Sequence, residues 1–262
     1  MRQTKITHYL ENLYPANLAS NFDFGKIGLQ FGSKEKDIKK VMIALDGTTD
    51  VIDEAVKNKV DLLITHHPFM FNPLLNLDYD SPFGKKLAKV IENKLNIYSM
   101  HTNFDTAIGG MNDVLANNLG LINIHPHKDE VDSSCFIRIG NTEQVTLGEF
   151  AKIVMVNLNE PTCKIIGDKD KIISKVGIVG GSGASELMLA IRHKCDCLVT
   201  GEIKHNQMLD AIEYDIALIE VSHSVERLFK ETLKNNLKEN FPELEVILSE
   251  NDNIPYNVII NE

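Results

Sequence analysis

Imidazole and carboxylate side chains follow three apolar, strand-like segments of this sequence. Three imidazoles and two carboxylates form a donor set that suits zinc, iron, manganese or cobalt, and it is large enough for two ions if one carboxylate bridges them. Two such ions hold a water molecule, lower its pKa and polarise a carbonyl, phosphoryl or purine carbon for attack, so the reaction class is hydrolysis. The five predicted metal ligands are His66, His67, Asp105, His223 and Glu226.

The first two ligands end the segment Val60–Pro68. An apolar run of this length that ends in polar residues is typical of a buried strand in a parallel sheet, and ligands collect beyond the carboxyl ends of such strands. Neighbouring side chains of an extended segment point to opposite sides, so His66 and His67 could reach two different ions. A hydrogen-bonded strand end is the alternative for this pair, and only ligands at other strand ends favour metal binding over it.

The other three predicted ligands follow later strands. The apolar run Leu95–Met100 leads to Asp105, and the run Ile216–Val221 leads to His223 and Glu226. At the start of a helix, residues three apart lie one turn apart, so His223 and Glu226 can face the same point. Each carboxylate has a simpler alternative, because Asp105 could cap a turn and Glu226 could be a solvated helix residue.

Two further histidines and a glycine-rich segment occupy similar positions. We predict that His101 and His205, at the same ends of their lobes, take part in proton transfer or support the ligands from behind. A structural histidine is the alternative for either. Gly180–Gly183 lies between a strand and a helix, where it could present backbone N–H groups to an anion or form a tight turn.

The order of the predicted elements indicates an internal repeat. Val41–His67 and Val176–Glu202 align without a gap, and Asp61 then matches Asp196 while Thr65 matches Thr200. Both segments show a strand, a capped turn, a helix and a second strand. We interpret this as a duplicated α/β unit, which predicts an α/β fold of two pseudo-symmetric lobes with the metal site in the cleft between them.

The predicted lobes are residues 1–127 and 128–262, with a C-terminal strand that could return to the first lobe. The polar segment His125–Ser134 is the predicted boundary. After it, we predict a strand at Cys135–Ile139 and a helix at Leu147–Val156. Asp46 and Thr48 are among the predicted N-caps of the helix that follows the strand Val41–Leu45.

The composition of the sequence indicates which kinds of partner this protein can bind. The 262 residues are 43% hydrophobic and 24% charged, as in globular proteins of the cytoplasm, and neither a signal-like segment nor a run of eighteen apolar residues is present. We therefore expect a cytoplasmic location and no membrane contact. The formal net charge of −10 argues against nucleic-acid binding. A small anionic substrate is compatible with this charge if bound metal makes the site locally positive.

Over nearly its whole length, the sequence resembles the GTP cyclohydrolase I type 2 homologues, also called the Ngg-interacting-factor-like dinuclear metal proteins. The family usually has Asp-Asn where this chain has Gly25-Lys26, and often a glycine where Ser222 stands; neither change removes a predicted ligand. The segments that carry the resemblance are Ile27–Gly32, Ala44–Asp46, Leu63–Pro68, Thr102–Asp105, Gly180–Gly183, Thr200–Glu202 and His223–Glu226.

The resemblance implies two similar α/β lobes with two metal ions in the cleft, bound by the five residues named above. It also implies a toroidal homohexamer, assembled as a trimer of dimers, and a short form without the inserted domain of longer members. The family name further implies opening of the imidazole ring of GTP by metal-activated water.

Two hypotheses from different classes follow. The first is a dinuclear metal-dependent hydrolase that acts on a nucleotide or a related phosphorylated heterocycle. The alternative is a non-catalytic metal-binding hexamer, a metal chaperone or a regulatory protein, because the sequence has no recognisable substrate-specificity motif. The name of eukaryotic relatives suggests a regulatory partner of the transcription machinery, although the acidic charge argues against direct DNA contact.

Overall fold

Strands and helices alternate along the chain in a computed structural model, which confirms the predicted α/β class. The structure describes residues 1–128, 135–252 and 254–259. The strands are β1 (Gly28–Phe31), β2 (Lys40–Ala44), β3 (Leu62–Thr65), β4 (Asn96–Ser99), β5 (Ile122–Pro126), β6 (Arg138–Thr146), β7 (Lys164–Ile166), β8 (Ile172–Val179), β9 (Cys197–Thr200), β10 (Ala217–Glu220) and β11 (Glu245–Leu248). The α-helices are α1 (Gln3–Leu13), α2 (Thr49–Lys57), α3 (Pro82–Glu92), α4 (Thr102–Thr106), α5 (Met111–Asn118), α6 (Leu147–Asn157), α7 (Leu187–Arg192), α8 (His205–Glu213) and α9 (Phe229–Asn240).

The chain divides into two compact units. The first unit comprises Met1–Ala107 and Phe229–Asn253, and the second comprises Ile108–Leu228 and Ile254–Glu262. Among the described helices, none is long and apolar enough to cross a lipid bilayer.

The division sets the boundary between the units earlier than we predicted, and the C-terminal strand returns to the first unit, as the sequence analysis allowed. Residues 108–127, which we assigned to the first lobe, belong to the second unit, where β5 pairs antiparallel with β6. The C-terminal strand β11 belongs to the first unit and pairs in parallel with β2. Residues 129–134, inside the predicted boundary segment, lie outside the described residues.

The sheet of the first unit has the order β1-β4-β3-β2-β11. Strands β4, β3, β2 and β11 are parallel to one another, and β1 is an antiparallel strand at the edge of the sheet. The apolar face of α2, with Val51, Ile52 and Ala55, packs into the core beside this sheet. Because β3 and β4 are parallel neighbours, the residues that follow them emerge at the same edge.

The sheet of the second unit has the order β5-β6-β8-β9-β10-β7, with β8, β9 and β10 parallel. The strand predicted at Cys135–Ile139 begins later, at Arg138, and continues to Thr146. The buried guanidinium of Arg138 donates hydrogen bonds to the backbone carbonyls of Cys135 and Phe136, at 2.7 and 3.3 Å. These carbonyls bind a side chain instead of a neighbouring strand, which explains the late start of β6. The helix predicted at Leu147–Val156 is α6, which starts with a capping box between Thr146 and Glu149.

The two aligned segments have the same strand register. In the first unit Val41 lies opposite Leu62, and in the second unit Val176 lies opposite Cys197, which is the pair that the gapless alignment predicts. The turns before the second strands also agree, since Lys59 and Lys194 both have a φ of 55°.

An aspartate fixes each of these registers. The Asp61 carboxylate accepts hydrogen bonds from the N–H groups of Lys39 and Lys40, at 2.8 and 3.1 Å. The Asp196 carboxylate accepts them from Ser174 and Lys175, at 2.9 and 2.8 Å. The sequence match between the two aspartates therefore reflects one hydrogen-bonding device that occurs in both units.

We expect Asp61→Ala and Asp196→Ala each to lower the free energy of unfolding by about 1–3 kcal/mol, because each leaves two strand N–H groups without their carboxylate. Urea denaturation monitored by circular dichroism measures the change. The exposed Asp170, whose carboxylate holds no neighbouring strand, provides the control Asp170→Ala, which should change the unfolding free energy by less than about 0.5 kcal/mol. Equal effects of all three substitutions would contradict this role of the aspartates.

Candidate metal centre

His66 is buried directly after β3 in the first unit. Its ring packs against those of Phe104 and Phe229, with centroid distances of 6.2 and 5.4 Å. Its Nε2 atom lies 3.5 Å from a carboxylate oxygen of Asp105, which α4 presents after the neighbouring strand β4. The parallel pairing of β3 and β4 thus brings together an imidazole and a carboxylate that are far apart in the sequence.

Three imidazoles converge at this edge of the first sheet. One ring nitrogen from each of His66, His67 and His101 lies within 4.8 Å of the others, a spacing at which the three residues could hold a metal ion. The centroid distances between the rings are 5.1, 5.3 and 5.7 Å. His101, which we predicted as a proton-transfer residue, therefore lies close to the predicted ligands His66 and His67.

Two of these rings each form a hydrogen bond with a different carboxylate. Nδ1 of His67 is 2.8 Å from Asp46, and Nδ1 of His101 is 2.9 Å from Asp23. A carboxylate accepts the hydrogen bond, so the proton resides on Nδ1 and the Nε2 lone pair is left to bind a metal ion or a proton. This arrangement is the usual support for metal-binding histidines, and it is the main reason that the donor set fits a divalent ion.

Asp23 is the more constrained of the two carboxylates. It is fully buried and also accepts hydrogen bonds from the backbone N–H of Thr102, at 3.1 Å, and from the Thr102 hydroxyl. Burial alone would raise the pKa of Asp23, but the hydrogen bonds from His101 and Thr102 outweigh it and hold the pKa below its ordinary value. Asp23 is consequently ionised at neutral pH and holds the His101 ring.

Sequence reasoning missed both carboxylates as site residues. Asp46 was counted as a candidate N-cap, but Thr48 caps α2 by accepting a hydrogen bond from the N–H of Val51. Asp46 lies two residues after the end of β2, so its position near a strand end was a usable signal. Asp23 gave none, because it is 78 residues from His101 and lies in a short 3₁₀ turn, Asn21–Asp23.

The second unit carries its own pair of potential ligands. His223 and Glu226 lie on a 3₁₀ turn, His223–Leu228, that follows β10, and His223 Nε2 is 3.1 Å from the Glu226 carboxylate. His223 Nδ1 lies 2.9 Å from Glu202, which follows β9. The hydrogen bond from Ser182 lowers the pKa of Glu202, burial opposes this, and the hydrogen bond with His223 lowers it further. His223 is thus supported in the same way as His67 and His101.

The glycine-rich segment of the second unit makes room for this pair. Gly181 has a φ of 56°, and a Cβ atom there would lie 2.6 Å from the Glu226 carboxylate and 3.3 Å from His223 Nε2. The N–H groups of Gly180 and Gly183 bind Asn112 and Thr200 at 2.7 and 3.0 Å. These contacts favour the tight-turn interpretation of Gly180–Gly183 over anion binding.

His205 begins α8 in the second unit and is exposed. Within the described ranges, it belongs to none of the clusters of residues that could hold a metal ion. Its role in proton transfer stays a prediction.

Comparison with known proteins identifies the family. Residues 1–255 match the sequence model of the Duf34/NIF3 (NGG1p interacting factor 3) family. The chain belongs to the Duf34/NIF3 family. This confirms the resemblance found in the sequence, since the family's curated relatives carry the name that the resemblance gave.

Two members of the Duf34/NIF3 family named GTP cyclohydrolase 1 type 2 homolog are similar to this chain. The Clostridium perfringens protein is 33% identical over 226 residues, which cover 85% of this chain and 86% of the relative. The Methanocaldococcus jannaschii protein is 32% identical, with 90% and 96% covered. Among solved structures, a Bacillus cereus protein related to NIF3 matches with a TM-score of 0.91 and 25% identity, with 99% of each chain covered.

We expect Asp46→Asn to weaken Zn²⁺ binding by about 10- to 100-fold, because the amide holds the Nδ1–H of His67 less firmly than the carboxylate does. Competition with a chromophoric chelator measures the affinity. Asp80→Asn, in an exposed loop of the same unit, should bind Zn²⁺ like the unsubstituted protein. Wild-type affinity in Asp46→Asn would show that the carboxylate does not support a metal ligand.

We expect Gly181→Ala to reduce the number of Zn²⁺ ions bound per chain, because the new methyl group displaces the Glu226 carboxylate. Gly109→Ala is the matched control: Gly109 also has a positive φ, 73°, but a Cβ atom there would meet nothing within 4 Å. Both variants should lose about 1–2 kcal/mol of stability through backbone strain, and only Gly181→Ala should lose metal. Elemental analysis of the purified proteins measures the difference, and equal metal content in both variants would contradict the expectation.

Proposed function

We propose that this protein is a dinuclear metal-dependent hydrolase of the GTP cyclohydrolase I type 2 kind, which acts on a nucleotide or a related phosphorylated heterocycle. One observation carries the proposal: three imidazoles converge after β3 and β4, and ionisable carboxylates hold two of them through Nδ1. A structural role does not require one ring nitrogen from each of three imidazoles to lie within reach of a single ion. Metal binding does.

We assign five residues as metal ligands. His66, His67 and Asp105 come from the first unit, and His223 and Glu226 come from the second. The assignment of both groups to the same two ions rests on the family resemblance. Divalent ions held by imidazoles and carboxylates lower the pKa of water and polarise the carbon or phosphorus atom that the water attacks.

His101 is the proposed proton-transfer residue. Asp23 fixes its Nδ1 proton, so Nε2 is the atom that takes up a proton and returns it. The negative charge of Asp23 also stabilises the imidazolium that forms when Nε2 is protonated. His205 is the second predicted proton-transfer residue, and its exposed position makes a separate test necessary.

The first test measures metal content and GTP turnover in the same samples. Protein loaded with zinc, iron, manganese or cobalt should convert GTP, and His66→Ala should lose both metal and turnover. His101→Ala should lower the turnover rate by about 10²- to 10⁴-fold. His8→Ala removes an exposed histidine of α1 and should change neither quantity.

His205→Ala in the same assay decides between its two interpretations, since a proton-transfer residue would lower turnover at unchanged metal content. Absence of nucleotide conversion by the unsubstituted protein with all four metals would contradict the hydrolase proposal. Metal binding without turnover would instead favour the non-catalytic alternative, a metal-binding assembly, metal chaperone or regulatory protein.

The family resemblance also supports a proposed assembly, and the sequence composition supports a proposed location. We include a cytoplasmic homohexamer, a toroidal trimer of dimers, in the proposal, with a small-molecule substrate and no nucleic-acid partner. Sedimentation velocity of the metal-loaded protein tests the assembly directly, because a hexamer of this chain has six times the mass of the monomer.

A further inference from the structure

Two phenylalanine rings and one ammonium group lie beside His101 in the first unit. The rings of Phe22 and Phe71 are 54% and 48% exposed, and their centroids lie 6.0 and 6.4 Å from the centroid of the His101 ring. The Nζ atom of Lys26 lies 4.0 Å from the centroid of Phe71 and 5.6 Å from that of Phe22. We call Phe22, Lys26 and Phe71 the aromatic clamp.

The clamp is built on the segments that already position the imidazoles. Phe22 lies in the 3₁₀ turn that supplies Asp23, the carboxylate behind His101. The backbone N–H of Lys26 donates to the carbonyl of Asp23 at 2.8 Å. Phe71 follows the segment that contains His66 and His67. A ligand held by the clamp would therefore lie next to the candidate metal site of the same unit.

The two exposed rings lie beside the candidate metal site of the first unit. Apolar rings are normally removed from water by the core, whereas Phe22 and Phe71 contact only His101 and the ammonium of Lys26 among the ring and cation contacts of the described residues. A planar heteroaromatic ring that stacked on a phenylalanine ring would cover this surface, and every nucleobase has such a face.

Lys26 supplies the charge that an anionic ligand requires. In the part of the chain that the structure describes, no carboxylate lies within 4.0 Å of its Nζ atom, although the protein has a net charge of −10. Contact with the face of a phenylalanine ring positions the ammonium group of Lys26 without neutralising its charge. A phosphate group beside Lys26 would gain an attraction that the rest of this acidic surface does not offer.

We propose that the aromatic clamp binds the substrate of the candidate metal site, and that this substrate is a nucleotide whose base stacks on Phe22 or Phe71 while Lys26 binds its phosphate. The inference rests on the proposed hydrolase function. It adds the residues that select the substrate and the two chemical groups by which they recognise it.

Calorimetric titration of the metal-loaded full-length protein with three probes tests the clamp. GTP carries both groups, guanosine carries only the base, and tripolyphosphate carries only the anionic part. Phe22→Ala and Phe71→Ala should weaken the binding of GTP and guanosine by about 5- to 50-fold and leave tripolyphosphate binding unchanged. Lys26→Gln should weaken GTP and tripolyphosphate by about 3- to 10-fold, with the larger effect at low salt, and leave guanosine unchanged.

Matched controls come from the same part of the chain. Phe24 is 94% exposed and lies in the same loop, but its ring is outside the clamp. Phe24→Ala and Lys34→Gln, which removes another exposed lysine of the first unit, should bind all three probes like the unsubstituted protein.

Several results would overturn the clamp. The unsubstituted protein could fail to bind any of the three probes, or the clamp variants could bind them as the controls do. Altered sedimentation of Phe22→Ala with unchanged GTP binding would instead assign the rings to an interface between copies of this chain. Tight GTP binding that depends on the clamp, without any turnover, would contradict the hydrolase proposal and leave the clamp intact. Turnover of GTP, together with clamp variants that bind GTP as the unsubstituted protein does, would contradict the clamp and leave the hydrolase proposal intact.

Discussion

The hydrogen bond from an imidazole Nδ1 to a carboxylate is the constraint on which the chemistry of this protein depends. Among the described residues, it is present at His67, His101 and His223. An imidazole without such a partner exchanges tautomers and rotates, so either nitrogen can face a ligand. The carboxylate removes this freedom, and a hydrogen bond to a charged group contributes about 1.5–3 kcal/mol to holding the ring.

The position of the histidines was predictable from the sequence, but the pairing of each histidine with a particular carboxylate was not. A short apolar run followed by polar residues is a local pattern, and parallel pairing then brings the strand ends together. The bond between Asp23 and His101 joins residues 78 apart, and that between Glu202 and His223 joins residues 21 apart. Contacts between residues so far apart in the sequence depend on how the loops fold. Neither periodicity nor composition gives a signal for that arrangement.

The repeat was the most informative long-range feature of the sequence. It predicted the strand register because the Asp61 and Asp196 carboxylates accept hydrogen bonds from equivalent backbone N–H groups, those of Lys40 and Lys175. The boundary between the units was harder to predict from the sequence. Residues 108–127 belong to the second unit because β5 pairs antiparallel with β6. Strand β6 itself runs through polar residues that have no alternating pattern, and only its pairing with β8 defines it.

The parallel pairing of β11 with β2 has a consequence for synthesis on the ribosome. Strand β2 is complete early in translation, but β11, the strand that covers its outer side, is made only after all the other described strands. Until then the nascent sheet exposes a row of backbone N–H and C=O groups, a template onto which another chain can add. Premature termination before residue 245 would leave this edge open permanently, so truncated products should be prone to self-association and should depend on holding chaperones.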